Sequence, residues 1–165
     1  MNSLYRELQQ TKPFRSLEEE VYIALRLTSQ LMEEPWARYL RRTEGISPSQ
    51  YNLLRILRGA GVEGRTMREV ADRMLNRDPD VTRLADRTVK LGFARRMRDG
   101  DDRRVVKLYI TEKGLAVLAR LDEKVLEFLK QALGGLGPKR LKTLRDLLGE
   151  ARGGIKPFFV EDGTR

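Results

Sequence analysis

Cysteine and histidine are both absent from the 165-residue chain. Their absence excludes disulfides, thiolate nucleophiles, Cys/His zinc sites and the Ser–His–Asp arrangement of hydrolases. No apolar run approaches the roughly 18 residues of a membrane-spanning helix, and the N-terminal segment MNSLYRELQQTKPFRS has no apolar core of signal-peptide length. We therefore expect a cytoplasmic protein with no membrane partner, no metal site, no cofactor and no catalytic residue.

Positive charge is abundant. The chain has 33 Lys and Arg against 24 Asp and Glu, which gives a formal net charge of +9. This balance favours a polyanionic partner, and nucleic acid is favoured over a membrane surface. The alternative is a well-solvated charged surface with no such partner, and charge alone does not decide between the two.

The N-terminal third predicts an arm followed by a long helix. After about 15 residues, Ser16 is placed to cap a helix, and Glu19 completes a capping box. Apolar residues then recur at helical spacing. Pro35 is expected to kink or interrupt this helix, which resumes and ends near Arg42, before Gly45.

Three shorter helices are predicted next. Ser47 caps the first of them, with Pro48 at its first position, and Thr66 and Glu69 form a capping box for the next. The segment GAGVEG between them is expected to be a loop. The third of these helices is expected to start with Asp78 as cap and Pro79 as first residue, and to stop at Gly92. Its expected inward-facing residues are Val81, Leu84, Ala85, Thr88 and Leu91.

Two strands and two further helices complete the prediction. The strands lie near residues 93–98 and 103–110, and the turn DGDD between them has hairpin chemistry. Thr111 is placed to cap a long helix with an apolar stripe, and the run GGLG breaks it. Pro138 opens a last helix, and a loosely ordered tail is expected from Gly153.

Two short helices joined by a tight turn and followed by a hairpin make a winged helix-turn-helix. Its second helix can lie in the DNA major groove, and the hairpin is the wing. The wing's arginines suit phosphate contacts or the narrow, electronegative minor groove. Some winged helices are instead protein-interaction modules, which is the alternative. The wing's arginines are Arg95, Arg96, Arg98, Arg103 and Arg104.

Residues 46–113 resemble the MarR family of bacterial transcriptional regulators. The matching segments are ISPSQYNLLRIL, TMREVADRM, DPDVTRLADRTVKLGFARR and DGDDRRVVKLYITEKG. The resemblance implies a mainly α fold with a small β-wing, in which a winged helix-turn-helix lies between N- and C-terminal dimerisation helices. It implies an N-terminal arm and dimerisation helix in residues 1–45, a DNA-binding region in residues 46–112, and C-terminal dimerisation helices and a tail in residues 113–165.

The resemblance also assigns roles at the wing tip. The family's Asp-x-Arg element is matched by Asp102, Arg103 and Arg104, of which Arg104 reaches into the minor groove. Asp102 would hold the direction of that arginine through a charge-assisted bond. The alternative is that Asp99, Asp101 and Asp102 are ordinary turn formers. A calcium loop is disfavoured, because the later bidentate Glu is missing.

In the second helix of the motif, the first turn and the outward face are expected to meet base edges, where an arginine can pair with guanine. The alternative for Arg87 is an ion pair with Asp86 or Asp72. Ser47 and Ser49 are candidates for a phosphate contact, although simple capping is favoured for Ser47. The predicted DNA-binding residues are Asp80, Thr82, Arg83, Arg87, Arg98, Asp102, Arg103 and Arg104.

The family resemblance further implies a homodimer and a small-molecule effector. The outer helices would interlace between two subunits, so that the dimer reads a pseudo-palindrome in double-stranded DNA. A phenolic or anionic ligand would bind between the dimerisation helices and the winged helix. Core packing is the alternative role for each candidate. The predicted ligand-binding residues are Tyr22, Arg26, Trp36, Arg38 and Tyr39.

The sequence thus predicts a homodimeric transcriptional repressor that a ligand releases from its operator. The alternative is a winged-helix DNA-binding protein without a ligand, controlled by its concentration or by a protein partner. An enzyme using Asp99, Asp101 and Asp102 is disfavoured, because an exposed turn offers no low-dielectric pocket to shift their pKa values.

Overall fold

A computed structural model describes residues 3–75, 80–99 and 104–155. The fold class is confirmed, because helices predominate and three short strands form a small sheet. The helices are α1 (Ser3–Glu7), α2 (Leu17–Thr43), α3 (Pro48–Ala60), α4 (Met67–Arg73), α5 (Val81–Lys90), α6 (Glu112–Leu133) and α7 (Gly137–Ile155). The strands are β1 (Arg65–Thr66), β2 (Ala94–Arg98) and β3 (Val106–Ile110).

The chain divides into two compact units, Met1–Arg120 and Leu121–Arg165. The first unit contains α1 to α5, the sheet and the beginning of α6. The second contains the rest of α6 and α7, between which Gly134–Leu136 forms a 3-10 turn. The predicted break at GGLG is confirmed. The prediction of a loose tail from Gly153 is wrong for its first residues, because α7 continues to Ile155.

The sheet has the order β1-β3-β2 and is antiparallel throughout. The predicted hairpin is confirmed: Ala94 pairs with Ile110, and Arg98 pairs with Val106. Strand β1 was not predicted, because two residues carry no periodicity. It pairs with β3 on the side away from β2, and there Arg65 lies opposite Leu108. The segment before it, expected to be a loop, contains a 3-10 turn at Gly61–Glu63.

Helix α2 departs from its prediction at two places. It is continuous through Pro35, so the interruption that was expected there as the alternative to a kink does not occur. Proline removes one intrahelical hydrogen bond, but beyond it Ala37 and Leu40 are buried and hold the C-terminal half in helical register. At the start, Ser16 caps as predicted, yet the Glu19 carboxylate accepts from the Arg15 backbone N–H at 2.7 Å, so the capping box does not close. The expected arm contains α1.

The other two capping boxes are confirmed. Ser47 accepts from the Gln50 N–H at 3.2 Å, and the Gln50 side chain accepts from the Ser47 N–H at 2.9 Å. Thr66 and Glu69 form the same reciprocal pair ahead of α4. Hydrogen bonds from the Thr66 backbone N–H and then from its hydroxyl lower the pKa of the Glu69 carboxyl. Both helices therefore begin where local sequence alone places them.

The core of the winged helix lies between α3, α4, α5 and the sheet. Burying a leucine-sized side chain contributes about 1.5–3 kcal/mol, so this cluster holds α5 firmly against the other elements. Leu91, predicted to point inward, is instead exposed at the C-cap of α5. The buried members are Leu53, Leu57, Val70, Met74, Leu84, Ala85, Ala94 and Leu108.

Candidate DNA interface

Helix α5 presents one buried face and one polar face. Leu84, Ala85 and Thr88 are buried, and the Thr88 hydroxyl donates to the Leu84 carbonyl at 2.8 Å, which satisfies its polar atom in the core. Thr82 and Arg87, both predicted to contact DNA, lie on the exposed face. The core thus fixes the helix while leaving the predicted base-reading side chains accessible.

The first turn of α5 is held by Asp80. Its side chain accepts from the Arg83 backbone N–H at 2.9 Å and pairs with Arg83 Nε, also at 2.9 Å. The N-cap is therefore Asp80 rather than the predicted Asp78, and the helix starts at Val81. Asp78 and Pro79 lie outside the described residues. Asp80 acts on Arg83, fixing the direction of a side chain that is 82% exposed.

An ion pair joins α5 to the wing, the hairpin of β2 and β3. Asp86 on α5 lies 2.5 Å from Arg96 on β2. This pair removes Asp86 as the alternative partner of Arg87. Within residues 3–75, 80–99 and 104–155, Arg87 makes no ion pair and is exposed. Arg96, one of the wing arginines suited to phosphate or minor-groove contacts, is thus paired with a residue of α5 in the free chain.

The base of the wing is closed by Asp99. Its N–H donates to the Val105 carbonyl at 2.8 Å, and its carboxylate pairs with Lys107. The hydrogen bond to Asp99 raises the pKa of Lys107. Asp99 thus stabilises the hairpin and does not act as a free turn carboxylate. Asp101, Asp102 and Arg103 lie outside the described residues.

The two faces of the wing separate its arginines. Arg95 extends over the Tyr109 ring, with its guanidinium carbon 5.5 Å from the ring centroid, on the opposite face from Arg96. Arg98 and Arg104, at the ends of the described hairpin, are exposed near the tip. Arg98 and Arg104 are therefore the described arginines nearest the tip, and both were predicted to contact DNA.

The five predicted ligand-binding residues do not form one cluster within the chain. Trp36 stacks on Tyr39 with ring centroids 5.6 Å apart, and Tyr51 meets Trp36 edge-on at the same separation. Tyr22 lies 14 residues before Trp36 on the same helix, which corresponds to about 21 Å along the axis. Arg38 pairs with Glu34 at 3.0 Å.

Arg26 lies elsewhere on α2, along an open groove of about 560 Å³. The side chains around it are polar or charged, and all come from α2. This groove is separate from the stacked aromatic rings, because Arg26 precedes Trp36 by ten residues of helix, or about 15 Å. The groove is lined by Arg26, Ser29, Gln30, Glu33 and Glu34.

One contact that the sequence did not indicate joins Glu44, the C-cap of α2, to Arg120 of α6. Arg120 donates to both carboxylate oxygens of Glu44, at 3.0 and 2.6 Å, and the Glu44 side chain is 10% exposed. This hydrogen bond raises the pKa of Arg120. The two residues are 76 positions apart, so no local pattern predicts that they meet.

The described residues contain no group of three or more acidic side chains arranged to hold a metal ion. No helix in the part of the chain that the structure describes is long and apolar enough to cross a membrane.

Comparison with known proteins identifies relatives of this chain. A family model described as MarR family matches residues 44–105. A MarR transcription factor from Planctomyces limnophilus, solved by crystallography, is 36% identical, with a TM-score of 0.62 over 83% of this chain and 98% of that chain. A Bacillus subtilis (strain 168) protein, described as the uncharacterized HTH-type transcriptional regulator YpoP, is 29% identical over 102 residues, which is 62% of this chain and 71% of that protein.

A relative solved in complex with DNA has a similar fold. Sco3205, a MarR family transcriptional regulator from Streptomyces coelicolor, is 25% identical, with a TM-score of 0.76 over 90% of this chain and 94% of that chain. The family and the fold are those of transcription regulators, not of enzymes. The winged helix-turn-helix built around α5 is thus a DNA-binding module, and the chain belongs to the MarR family of transcriptional regulators.

Proposed function

We propose that the chain binds a specific pseudo-palindromic operator as a homodimer, with α5 of each subunit in a major groove and each wing on the adjacent minor groove. The observation that carries this proposal is the exposed polar face of α5, with Thr82, Arg83 and Arg87, beside an arginine-tipped wing. The net charge of +9 adds long-range attraction to phosphates. In this proposal residues 46–112 form the DNA-binding region.

The polar residues of the interface divide between positioning and reading. Asp80 positions Arg83, and Asp86 holds the wing through Arg96. Arg87 is the side chain best placed for bidentate pairing with guanine. Arg98 and Arg104, together with Asp102 and Arg103, complete the proposed DNA-binding set.

Exposed apolar side chains on α2 support a second copy as partner. Full burial of an exposed side chain of this size contributes about 1.5–3 kcal/mol, and these side chains would gain the part of it that corresponds to their exposed area. Such a stripe is unusual on a surface that stays in water. Residues 1–45 and 113–165 would then supply the dimerisation helices. The exposed apolar residues of α2 are Leu17, Val21, Tyr22, Leu25 and Leu31.

A small aromatic ligand is proposed to act at the stacked pair of Trp36 and Tyr39. Arg55 lies 5.8 Å from the Tyr51 ring centroid, so a cation is close to these rings and suits an anionic or phenolic compound. A ligand that favours the DNA-incompetent spacing of the two recognition helices would release the operator by population shift. The protein would therefore act as a cytoplasmic repressor. A regulator without a ligand, controlled by its concentration or by a protein partner, is the alternative.

The Arg104→Ala variant is expected to bind the operator about 10- to 100-fold more weakly than the wild type, because each subunit loses one wing cation. Fluorescence anisotropy with the duplex flanking the protein's own gene measures this, with random duplex as competitor and several salt concentrations. The control is Arg41→Ala, which removes the same charge from an exposed position on the last turn of α2. If wild type and Arg104→Ala bind random duplex and operator equally well, operator recognition is refuted.

The ligand is tested by thermal shift with a panel of phenols and benzoates. A specific binder is expected to raise the melting temperature of the wild type with concentration, and Tyr39→Leu is expected to abolish the rise. Tyr22→Leu is the matched control, because Tyr22 lies 17 residues away on the same helix, or about 25 Å. A panel that leaves the wild type unchanged would favour the regulator without a ligand, and an equal loss in both variants would remove the aromatic pair as the site.

A further inference from the structure

The C-terminal end of α5 is bonded to the first turn of α6. Three consecutive carbonyls, those of Leu91, Gly92 and Phe93, follow the last residue of the recognition helix. The Leu91 carbonyl accepts from Lys113 Nζ at 2.8 Å, and the Gly92 carbonyl accepts from the Thr111 hydroxyl at 2.7 Å. The Phe93 carbonyl accepts from the Thr111 backbone N–H at 3.1 Å. Carbonyls at a helix end lack partners within the helix. Here the donors are Thr111, the residue that precedes α6, and Lys113 in its first turn.

The close approach of the two segments depends on small residues. Gly92 has φ +78°, a left-handed conformation that ends α5 and turns the chain toward β2. Gly114 is buried, and its N–H donates to the Thr111 hydroxyl oxygen at 3.2 Å. A Cβ at residue 114 would lie closer than 3.0 Å to the Phe93 carbonyl oxygen. The Thr111 hydroxyl therefore caps α6 and bonds the end of α5 at the same time.

Lys113 occupies a position in its own helix where a positive charge is unfavourable. It is the second residue of α6, where the positive end of the helix dipole disfavours a cation. Its ammonium group instead lies at the carbonyl end of α5, where a cation is favoured, and 4.8 Å from the Phe93 ring centroid. The unfavourable interaction of Lys113 with the dipole of α6 is thus outweighed by its favourable contacts at the carbonyl end of α5.

We propose that Lys113 is a positioning residue for operator recognition, which together with Thr111 fixes the recognition helix α5 to the first turn of α6. The inference rests on the proposed operator binding, but it assigns a role to a residue outside the base-reading face and the wing. Base readout requires several side chains to meet their partners at hydrogen-bonding distance and angle at the same time. The core anchors the middle of α5, and Lys113 anchors its C-terminal end, so the orientation of the helix is kept. Attraction to phosphates does not depend on that orientation.

The test compares Lys113→Met with Lys113→Arg and with Lys130→Met, at a temperature well below the melting range of every variant. Lys130→Met removes the same charge from an exposed lysine in the last turn of α6. Lys113→Met is expected to lower operator affinity about tenfold beyond the control, while random-duplex affinity changes only as it does in Lys130→Met. Lys113→Arg keeps a cationic donor and is expected to recover most of the difference.

A readout without DNA separates this inference from the proposed function. The backbone N–H groups of Leu91, Gly92 and Phe93 donate back to α5 carbonyls, so in free protein they are expected to exchange with deuterium faster in Lys113→Met than in Lys130→Met. Unchanged exchange at these amides overturns the proposal even if the operator is bound. Equal losses for operator and random duplex, or a salt dependence reduced by about one charge per subunit, would make Lys113 a phosphate contact and also overturn it. Faster exchange in a protein that shows no operator preference would refute operator recognition and leave the anchoring contact established.

Discussion

Replacing Arg87 by alanine is expected to weaken operator binding by about 100-fold. A bidentate contact between arginine and guanine contributes about 1–3 kcal/mol of discrimination, and a homodimer loses the contact in both half-sites. Arg87 lies on the exposed face of α5, and within the described ranges it has no carboxylate partner, because Asp86 is paired with Arg96. Its guanidinium is therefore available to DNA without breaking an ion pair to any described residue.

The measurement is an anisotropy titration of wild type and Arg87→Ala against the operator and against operators with each candidate guanine replaced in both half-sites. One such replacement is expected to weaken the wild type as much as the mutation does, and to have little further effect on Arg87→Ala. Arg41→Ala again controls for net charge. If every base replacement weakens wild type and variant by the same factor, Arg87 does not read a base.

Replacing Gly114 by alanine is expected to lower the free energy of unfolding by about 3 kcal/mol. The added methyl group would lie closer than 3.0 Å to the Phe93 carbonyl oxygen and 2.8 Å from Ile110 Cγ1. The carbonyl cannot move freely, since it also accepts from the Thr111 N–H at 3.1 Å. The first turn of α6 would have to shift away from the end of α5 and break that bond.

The matched control is Gly149→Ala, which is the same change inside α7. There, among the residues that the structure describes, the new methyl group meets only Arg152 Nη2, at the ordinary contact distance of 3.7 Å. Alanine in an open helical position is expected to raise the free energy of unfolding by about 0.5–1 kcal/mol. Urea denaturation at one fixed protein concentration measures both variants, and equal effects of the two changes would show that residue 114 is not sterically constrained.

The features predicted best were those that depend on residues close together in the sequence. The two reciprocal capping boxes at Ser47 and Thr66 depend on partners three positions away, and both form. The start of α5 was missed, because Asp78 and Asp80 both suit an N-cap and the pattern does not choose between them.

Contacts between distant segments were not predictable from local patterns. Asp86 was considered as a partner of its neighbour Arg87, whereas it pairs with Arg96 because the sheet brings β2 beside α5. Lys113 lay within the TEKG motif that carried the family resemblance, yet its contact with Leu91 depends on how α6 follows the hairpin. The aromatic residues of α2 were assigned to one ligand site because of their residue type. Tyr22 and Trp36 are 14 positions apart on the same helix, which keeps them separate.

In the described part of the chain, the strand order leaves β2 at an edge of the sheet, where backbone groups that face away from β3 are open to a strand from another molecule. The sequence of β2 is ARRMR, so three arginines line five residues of that edge. Like charges on two approaching edges repel each other, which opposes strand addition and aggregation at the concentrations a cell maintains. The cations that suit DNA therefore also protect the open edge of the wing until the phosphates of a duplex neutralise them.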